Sequence, residues 1–117
     1  MNLTPGLFNF GIYPGAALNI VFLLQDIRGN PIDVTGCTAE LMCRYKKNPI
    51  TPFLTASTGA GSLINNGLEG YTLYVPDSVT APLAIGNGFF DLKNTQPNGD
   101  SKIVLSGNSN VKLVSST

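Results

Sequence analysis

Residues 26–45 read DIRGNPIDVTGCTAELMCRY, and this stretch decides the fold. It follows an apolar segment, turns at Arg28–Pro31, passes through Asp33–Gly36 and enters a segment, Thr38–Tyr45, in which polar and apolar residues alternate. Alternation with a period of two is typical of a β-strand that has one face in a core. The stretch therefore predicts a strand, a turn and a second strand of an all-β fold.

The turn chemistry of this stretch has a specific physical basis. Asp and Thr side chains accept hydrogen bonds from backbone N–H groups one or two residues later, and glycine tolerates conformations that are closed to other residues. We therefore predict a structural turn motif that fixes the corner where the chain enters its second strand. Its members are Gly29, Pro31, Asp33, Thr35 and Gly36.

Short strand signals separated by turn residues recur along the rest of the chain. The only helix signal, near 77–83, has Asp77 or Ser78 as its cap and ends at Pro82 after about one turn. Asn66-Gly67 predicts a two-residue hairpin turn. About seven to nine short strands indicate an antiparallel two-sheet β-sandwich. Its predicted core consists of Leu18, Ile20, Phe22, Leu41, Leu73, Phe90 and Leu92.

The composition excludes several classes of function. The chain has 117 residues, which suits one domain, and its seven basic and seven acidic residues give no net charge. No basic stripe is present for nucleic-acid binding. Met1–Tyr13 has no charged residue to begin a secretory signal, and the apolar run Ile20–Leu24 is too short to span a membrane. We therefore expect a soluble chain made in the cytoplasm.

Catalytic and metal-binding signals are weak. The chain has no histidine, and its acidic residues are scattered singly, so we expect no enzyme activity and no cofactor. Cys37 and Cys43 lie about 20 Å apart on an extended strand, which is too far for a disulfide, and Cys43 should face the core. Calcium at Asp26 and Asp33 is an alternative to the structural turn, but it needs several more oxygen ligands.

The N-terminal residues 1–14 form a segment punctuated by glycine and proline, and residues 15–117 form the domain proper. Apolar residues alternate with Asn9 and Gly11 in this segment, so it is either the first strand of the domain or an arm that pairs with a neighbouring protein. The candidate partner-binding residues of the arm are Phe8, Phe10, Ile12 and Tyr13.

Two further stretches have both an ordinary and a functional interpretation. Arg44, Lys46 and Lys47 are the only basic cluster, either a solvated strand end or a patch for an acidic partner. The segment Ser57–Ser62 looks like a phosphate-binding loop but lacks the lysine and the following helix, which favours a hairpin connection.

The order of these motifs resembles the small Ig-like β-sandwich proteins of tailed bacteriophages, and the N-terminal domain of baseplate upper proteins. The family pattern is a strand, D-x-x-G-x-P, D-L-T-G, a strand that ends in Arg, and a late Y-D-L strand. The resemblance covers about residues 15–114, with Val34 in place of the common Leu and Phe90 in place of the common Tyr. The matching positions are Gly29, Pro31, Asp33, Thr35, Gly36, Arg44 and Phe90-Asp91-Leu92.

The resemblance implies a non-enzymatic virion structural protein, an adaptor or decoration module in the tail, baseplate or neck. It would bind other virion proteins and copies of itself. A capsid decoration or cement protein of the same fold is one alternative. A carbohydrate-binding module is another, with Tyr13, Tyr74 and Phe89 as candidate aromatic contacts. Adhesin-type relatives continue into a fibre or receptor-binding region, and the present sequence departs from that pattern, which argues against a direct role in host recognition.

Overall fold

The computed structural model describes residues 6–26 and 28–112, and this part of the chain is all-β with two sheets. It contains nine strands, one short helix and one 3-10 turn. The strands are β1 (Gly6–Leu7), β2 (Phe10–Ile12), β3 (Leu18–Phe22), β4 (Thr38–Tyr45), β5 (Leu54–Ser57), β6 (Leu63–Asn65), β7 (Tyr71–Val75), β8 (Gly88–Thr95) and β9 (Ser101–Val111). The 3-10 turn is Gly67–Glu69, and the helix α1 is Asp77–Thr80.

The larger sheet has six strands in the order β1-β9-β8-β4-β5, with β2 also paired to β9. Strands β4, β5, β8 and β9 pair in the predicted antiparallel manner. However, β1 and β2 run parallel to β9, with Gly6 opposite Leu105 and Phe10 opposite Ser109. The prediction of a wholly antiparallel fold is therefore wrong at this edge of the sheet.

The smaller sheet has three antiparallel strands in the order β3-β7-β6. Its central strand β7 places Leu73 between Ile20 of β3 and Leu63 of β6. Inward and outward side chains alternate along all three strands, since the strand period is two.

The inward faces of both sheets contribute to one hydrophobic core. Six of the seven predicted core residues are buried, and the seventh, Ile20, packs against the core while partly exposed. The ring of Phe22 from the smaller sheet stacks on that of Phe90 from the larger sheet, with centroids 6.0 Å apart. The hydroxyl of Tyr71 donates a hydrogen bond to the side-chain carbonyl of Asn94, which joins the two sheets through a buried polar pair.

The N-terminal segment belongs to this core in its described part. Ile12 is fully buried, and the ring centroid of Phe10 lies 4.9 Å from that of Phe90. The backbone N–H of Lys112 donates to the carbonyl of Ile12 at 2.9 Å, which fixes the end of β2. Residues 6–7 and 10–12 therefore form strands of the domain, which is the first of the two alternatives for this segment. Residues 1–5 of the predicted arm lie outside the described residues.

Three local predictions differ from the structure. The connection from β6 to β7 is a five-residue segment, 66–70, with a 3-10 turn, because Gly67 and Gly70 both take positive φ. Helix α1 begins after Pro76, and neither Asp77 nor Ser78 caps it by a side-chain hydrogen bond. The alternation in residues 111–114 predicts a separate closing strand, but Val111 is the last residue of the long strand β9, and residues 113–114 lie outside the described residues.

Candidate interaction surface

The turn motif of the opening stretch forms as its chemistry predicts. Asp33 Oδ1 accepts hydrogen bonds from the Thr35 backbone N–H at 2.9 Å and from the Thr35 hydroxyl at 2.6 Å. These two bonds, the hydroxyl bond foremost, hold the pKa of Asp33 below its ordinary value. Gly36 has a φ of 78°, and the Cys37 N–H closes the turn on the Val34 carbonyl at 2.9 Å. The carboxylate of Asp33 is therefore occupied by backbone and hydroxyl donors.

The preceding turn is built in the same way. Asp26 Oδ1 accepts from the backbone N–H groups of Arg28 and Asn30 at 2.9 and 3.0 Å. Gly29 has a φ of 83°, and Pro31 forms an isolated bridge with Gln25. Among the described residues, no group of three or more His, Cys, Asp or Glu side chains could hold a metal ion.

Val34 connects this turn to the body of the protein. Its side chain is fully buried in the core, and its N–H donates to the Gly67 carbonyl at 3.2 Å. The side-chain amide of Asn65 donates to the carbonyls of Val34 and Cys37 at 2.6 and 3.0 Å. The turn is thus attached to the β6–β7 connection, which the sequence alone did not indicate.

The outer face of the smaller sheet carries several large apolar side chains that are exposed to solvent. The exposed fractions of Val21, Leu23, Ile64 and Tyr74 are 52%, 62%, 50% and 46%. In the strand register, Val21 and Ile64 lie on either side of Thr72, and Tyr74 lies opposite Asn19. None of the residues of β3, β6 and β7 is charged. We call this face, with Asn19, Val21, Leu23, Ile64, Thr72 and Tyr74, the apolar face.

The outer face of the larger sheet has the opposite character. Glu40 of β4 lies directly opposite Lys93 of β8, and Asp91 lies opposite Met42. These residues, with Arg44 and Ile103, line a shallow groove of about 210 Å³. Since charges of both signs alternate here, this face has the ordinary composition of a solvated sheet surface.

The predicted basic cluster is divided between two places. Lys46 and Lys47 are exposed in the turn after β4 and line a groove of about 220 Å³ with Tyr45, Gly86 and Asn87. Arg44 instead lies on the charged outer face of the larger sheet, where its guanidinium donates to the sulfur of Met42 at 3.1 Å. The three side chains do not line one common groove, and their binding of an acidic partner stays a prediction.

The aromatic candidates for glycan binding are also separated. Tyr74 lies on the apolar face, whereas Phe89 points to the outer side of the larger sheet and Tyr13 follows β2. Of the arm residues, Phe8 and Tyr13 are partly exposed, while Phe10 and Ile12 pack in the core. A flat aromatic platform of the kind that stacks on a sugar is therefore not formed by these three residues.

The segment Ser57–Ser62 uses its hydroxyls for its own backbone. Ser57 Oγ accepts from the Ala60 N–H, and Ser62 Oγ accepts from the Ser57 N–H, each at 3.0 Å. The Thr58 N–H donates to the Ala39 carbonyl at 3.0 Å, which attaches the segment to β4. These contacts are those of a local turn that links β5 of the larger sheet to β6 of the smaller sheet, so the predicted hairpin connection is wrong, because the two strands do not pair. The likeness to a phosphate-binding loop is limited to composition.

The two cysteines are free thiols in different environments. Cys43 is fully buried beside Leu41, as predicted, and burial raises the pKa of its thiol to about 12. Cys37 is partly exposed at the entrance to β4. Within residues 6–26 and 28–112, no helix has the length and apolar character needed to cross a membrane.

Comparison of the chain with protein-family models and with curated proteins found no match. The alternation in residues 17–25 leaves a second, partly apolar side through Val21 and Leu23, but nothing in the sequence relates that side to Ile64. The signal that would have located the apolar face is the absence of charge in three strands, which becomes informative only when those strands are known to share a sheet.

Proposed function

We propose that this chain is a non-enzymatic structural component of a tailed-bacteriophage virion, an adaptor or decoration module in the tail, baseplate or neck. It acts by binding virion proteins, both other chains and further copies of itself, and it is located in the particle after synthesis in the host cytoplasm. The resemblance of its motifs to small Ig-like phage proteins supplies the virion setting. The apolar face supplies the means of attachment.

The observation that carries the binding role is the uncharged character of the apolar face. The face has four large apolar side chains, each about half exposed: Val21, Ile64 and Tyr74 in the three-stranded sheet, and Leu23 directly after β3. Taken at on the order of 100 Å² each, they form a patch of roughly 400 Å², a size that is often functional. Contact of large apolar side chains with water is unfavourable, so their burial against another protein lowers the free energy.

The strand order supports the finer fold class, an Ig-like β-sandwich. In Ig domains, strands lettered in chain order divide into a sheet that contains C, F and G and a sheet that contains B, E and D. If β2 to β9 are lettered A, B, C, C′, D, E, F and G, the smaller sheet is B-E-D and the larger is A-G-F-C-C′. This arrangement agrees with the family from which the virion role is inferred.

Particle composition tests the proposal. The wild-type chain and the variant Val21→Glu are compared in particles of the phage that encodes it, by quantitative mass spectrometry. Ile103→Glu is the matched control, because Ile103 is an exposed strand residue on the outer face of the other sheet.

We expect several copies of the wild-type and Ile103→Glu chains per particle, and a loss of at least tenfold for Val21→Glu at unchanged folded stability. Absence of the wild-type chain from purified particles would contradict the virion role. Equal incorporation of all three chains would contradict the role of the apolar face.

A further inference from the structure

We infer that the apolar face binds a second copy of this chain, face to face, in a two-fold symmetric dimer. The inference deepens the proposed function, on which its setting in the particle rests, by assigning a partner to the apolar face. It stands on three features of that face: its charge, its polar satisfaction and its area.

The first feature is the absence of charge. Glu, Asp, Lys and Arg are missing from β3, β6 and β7, so two copies of the face meet without like-charge repulsion. A dedicated contact with a different protein usually includes charges that orient the partner and exclude wrong ones. The chain as a whole has no net charge, so long-range repulsion between copies is also weak.

The second feature is that the polar group at the centre of the face, the Thr72 hydroxyl, keeps a hydrogen bond within its own chain when the face is buried. Thr72 lies at the middle of the face, between Val21 and Ile64 in the strand register. Its hydroxyl oxygen already accepts a hydrogen bond from the Asn66 side-chain amide at 2.7 Å. Because this oxygen has a partner within the chain, covering it with apolar side chains avoids most of the cost of burying an unsatisfied polar atom.

The third feature is the surface area that two facing copies of the apolar face bury. In the dimer, the two apolar faces oppose each other, and the two-fold axis lies between them, parallel to β7. Because Val21 and Ile64 flank Thr72, rotation about this axis places Val21 of each copy over Ile64 of the other. Two apolar patches of roughly 400 Å² bury roughly 800 Å² in total, which is in the range of weak or transient contacts and below that of stable specific interfaces. The dimer is therefore weak in dilute solution and becomes populated at the high local concentration of an assembly.

Sedimentation equilibrium of the purified full-length chain, from about 10 µM to about 1 mM, measures this association directly. We expect the average mass to rise from monomer toward dimer over this range. Val21→Glu and Leu23→Glu should each weaken the association at least tenfold, whereas Ile103→Glu should leave it unchanged. Thermal unfolding of each variant identifies any that fails to fold, and the wild-type measurement is decisive without the variants.

A wild-type chain that stays monomeric up to about 1 mM would overturn the inference. Association that Ile103→Glu weakens as much as Val21→Glu would overturn it as well. Two other outcomes distinguish failure of the dimer from failure of the proposed virion role. A monomeric chain that needs Val21 for incorporation points to a different virion protein on the face, whereas a dimer absent from particles preserves the dimer and removes the virion role.

Discussion

The side-chain amide of Asn65 donates hydrogen bonds to the backbone carbonyls of both Val34 and Cys37, at 2.6 and 3.0 Å. Its own carbonyl oxygen accepts from the Gly67 N–H at 2.9 Å, so one side chain joins the opening turn to the β6–β7 connection. The two segments are about thirty residues apart in the sequence, and this contact brings them to the same end of the fold. The turn motif is thus held in place by a residue outside it.

Replacement of Asn65 by Leu should destabilise the protein by about 2–4 kcal/mol, because it leaves two carbonyls without their donor and removes the acceptor for Gly67. Urea unfolding followed by circular dichroism measures the change. Asn19→Leu, on the exposed outer side of β3, is the control and should change stability by less than about 1 kcal/mol. Equal effects of the two substitutions would show that Asn65 does not have this linking role.

Gly70→Ala should be among the most destabilising substitutions in the chain. Gly70 has a φ of 74°, and a Cβ atom there would lie 1.8 Å from the carbonyl oxygen of Phe22. Gly99→Ala is the matched control, since Gly99 also has a positive φ, 95°, but has no atom within 4 Å of the added carbon. We expect about 1 kcal/mol for Gly99→Ala and at least about 3 kcal/mol for Gly70→Ala. A Gly70→Ala variant as stable as Gly99→Ala would contradict the close approach of these backbones.

Asp33→Ala and Gly36→Ala should both lower the melting temperature at neutral pH, because each disrupts the turn that enters β4. The Thr35 hydrogen bonds keep the pKa of Asp33 below its unfolded value, so its contribution is present above that value and is lost as pH falls through the folded pKa. The difference in melting temperature between wild type and Asp33→Ala should therefore shrink below about pH 4. Loss of assembly at unchanged stability in these variants would contradict a purely structural role for the turn.

Cys43 should resist thiol reagents in the folded protein while Cys37 reacts, because only Cys43 is fully buried. Its pKa is raised by burial from 9.0 to about 12, so its contribution to stability is present below pH 9.0 and decreases as pH rises toward about 12. In that window, the loss is on the order of 1 kcal/mol per pH unit. Cys43→Ala should show a shallower alkaline decline than wild type in urea unfolding. Rapid modification of both thiols without denaturant would contradict the burial.

The period-two pattern was sufficient to predict most of the core and an all-β fold with two sheets. Leu41, Leu73 and Phe90 occupy alternate, inward positions in segments bounded by turn residues, and all three are fully buried. The local turn chemistry of Asp33 and Thr35 was predictable for the same reason, since both partners lie within two residues of each other.

The features that the sequence did not indicate depend on which strands become neighbours. The parallel pairing of β2 with β9 joins residues about one hundred positions apart, and no local pattern specifies such a partner. Strand β9 continues through Ser106–Asn110, whose polar composition suggests a loop, because β8 and β2 pair with it on both sides. Likewise, Val21 and Ile64 form one apolar face only because β7 lies between them.

The most direct test of the proposed virion role is a cryo-electron microscopy map of the intact phage particle to which we assign this chain. We expect several copies of the domain in the tail, baseplate or neck, each with Val21, Leu23, Ile64 and Tyr74 buried against protein. A particle map without the domain, or one in which the apolar face of every copy is exposed to solvent, would contradict the account.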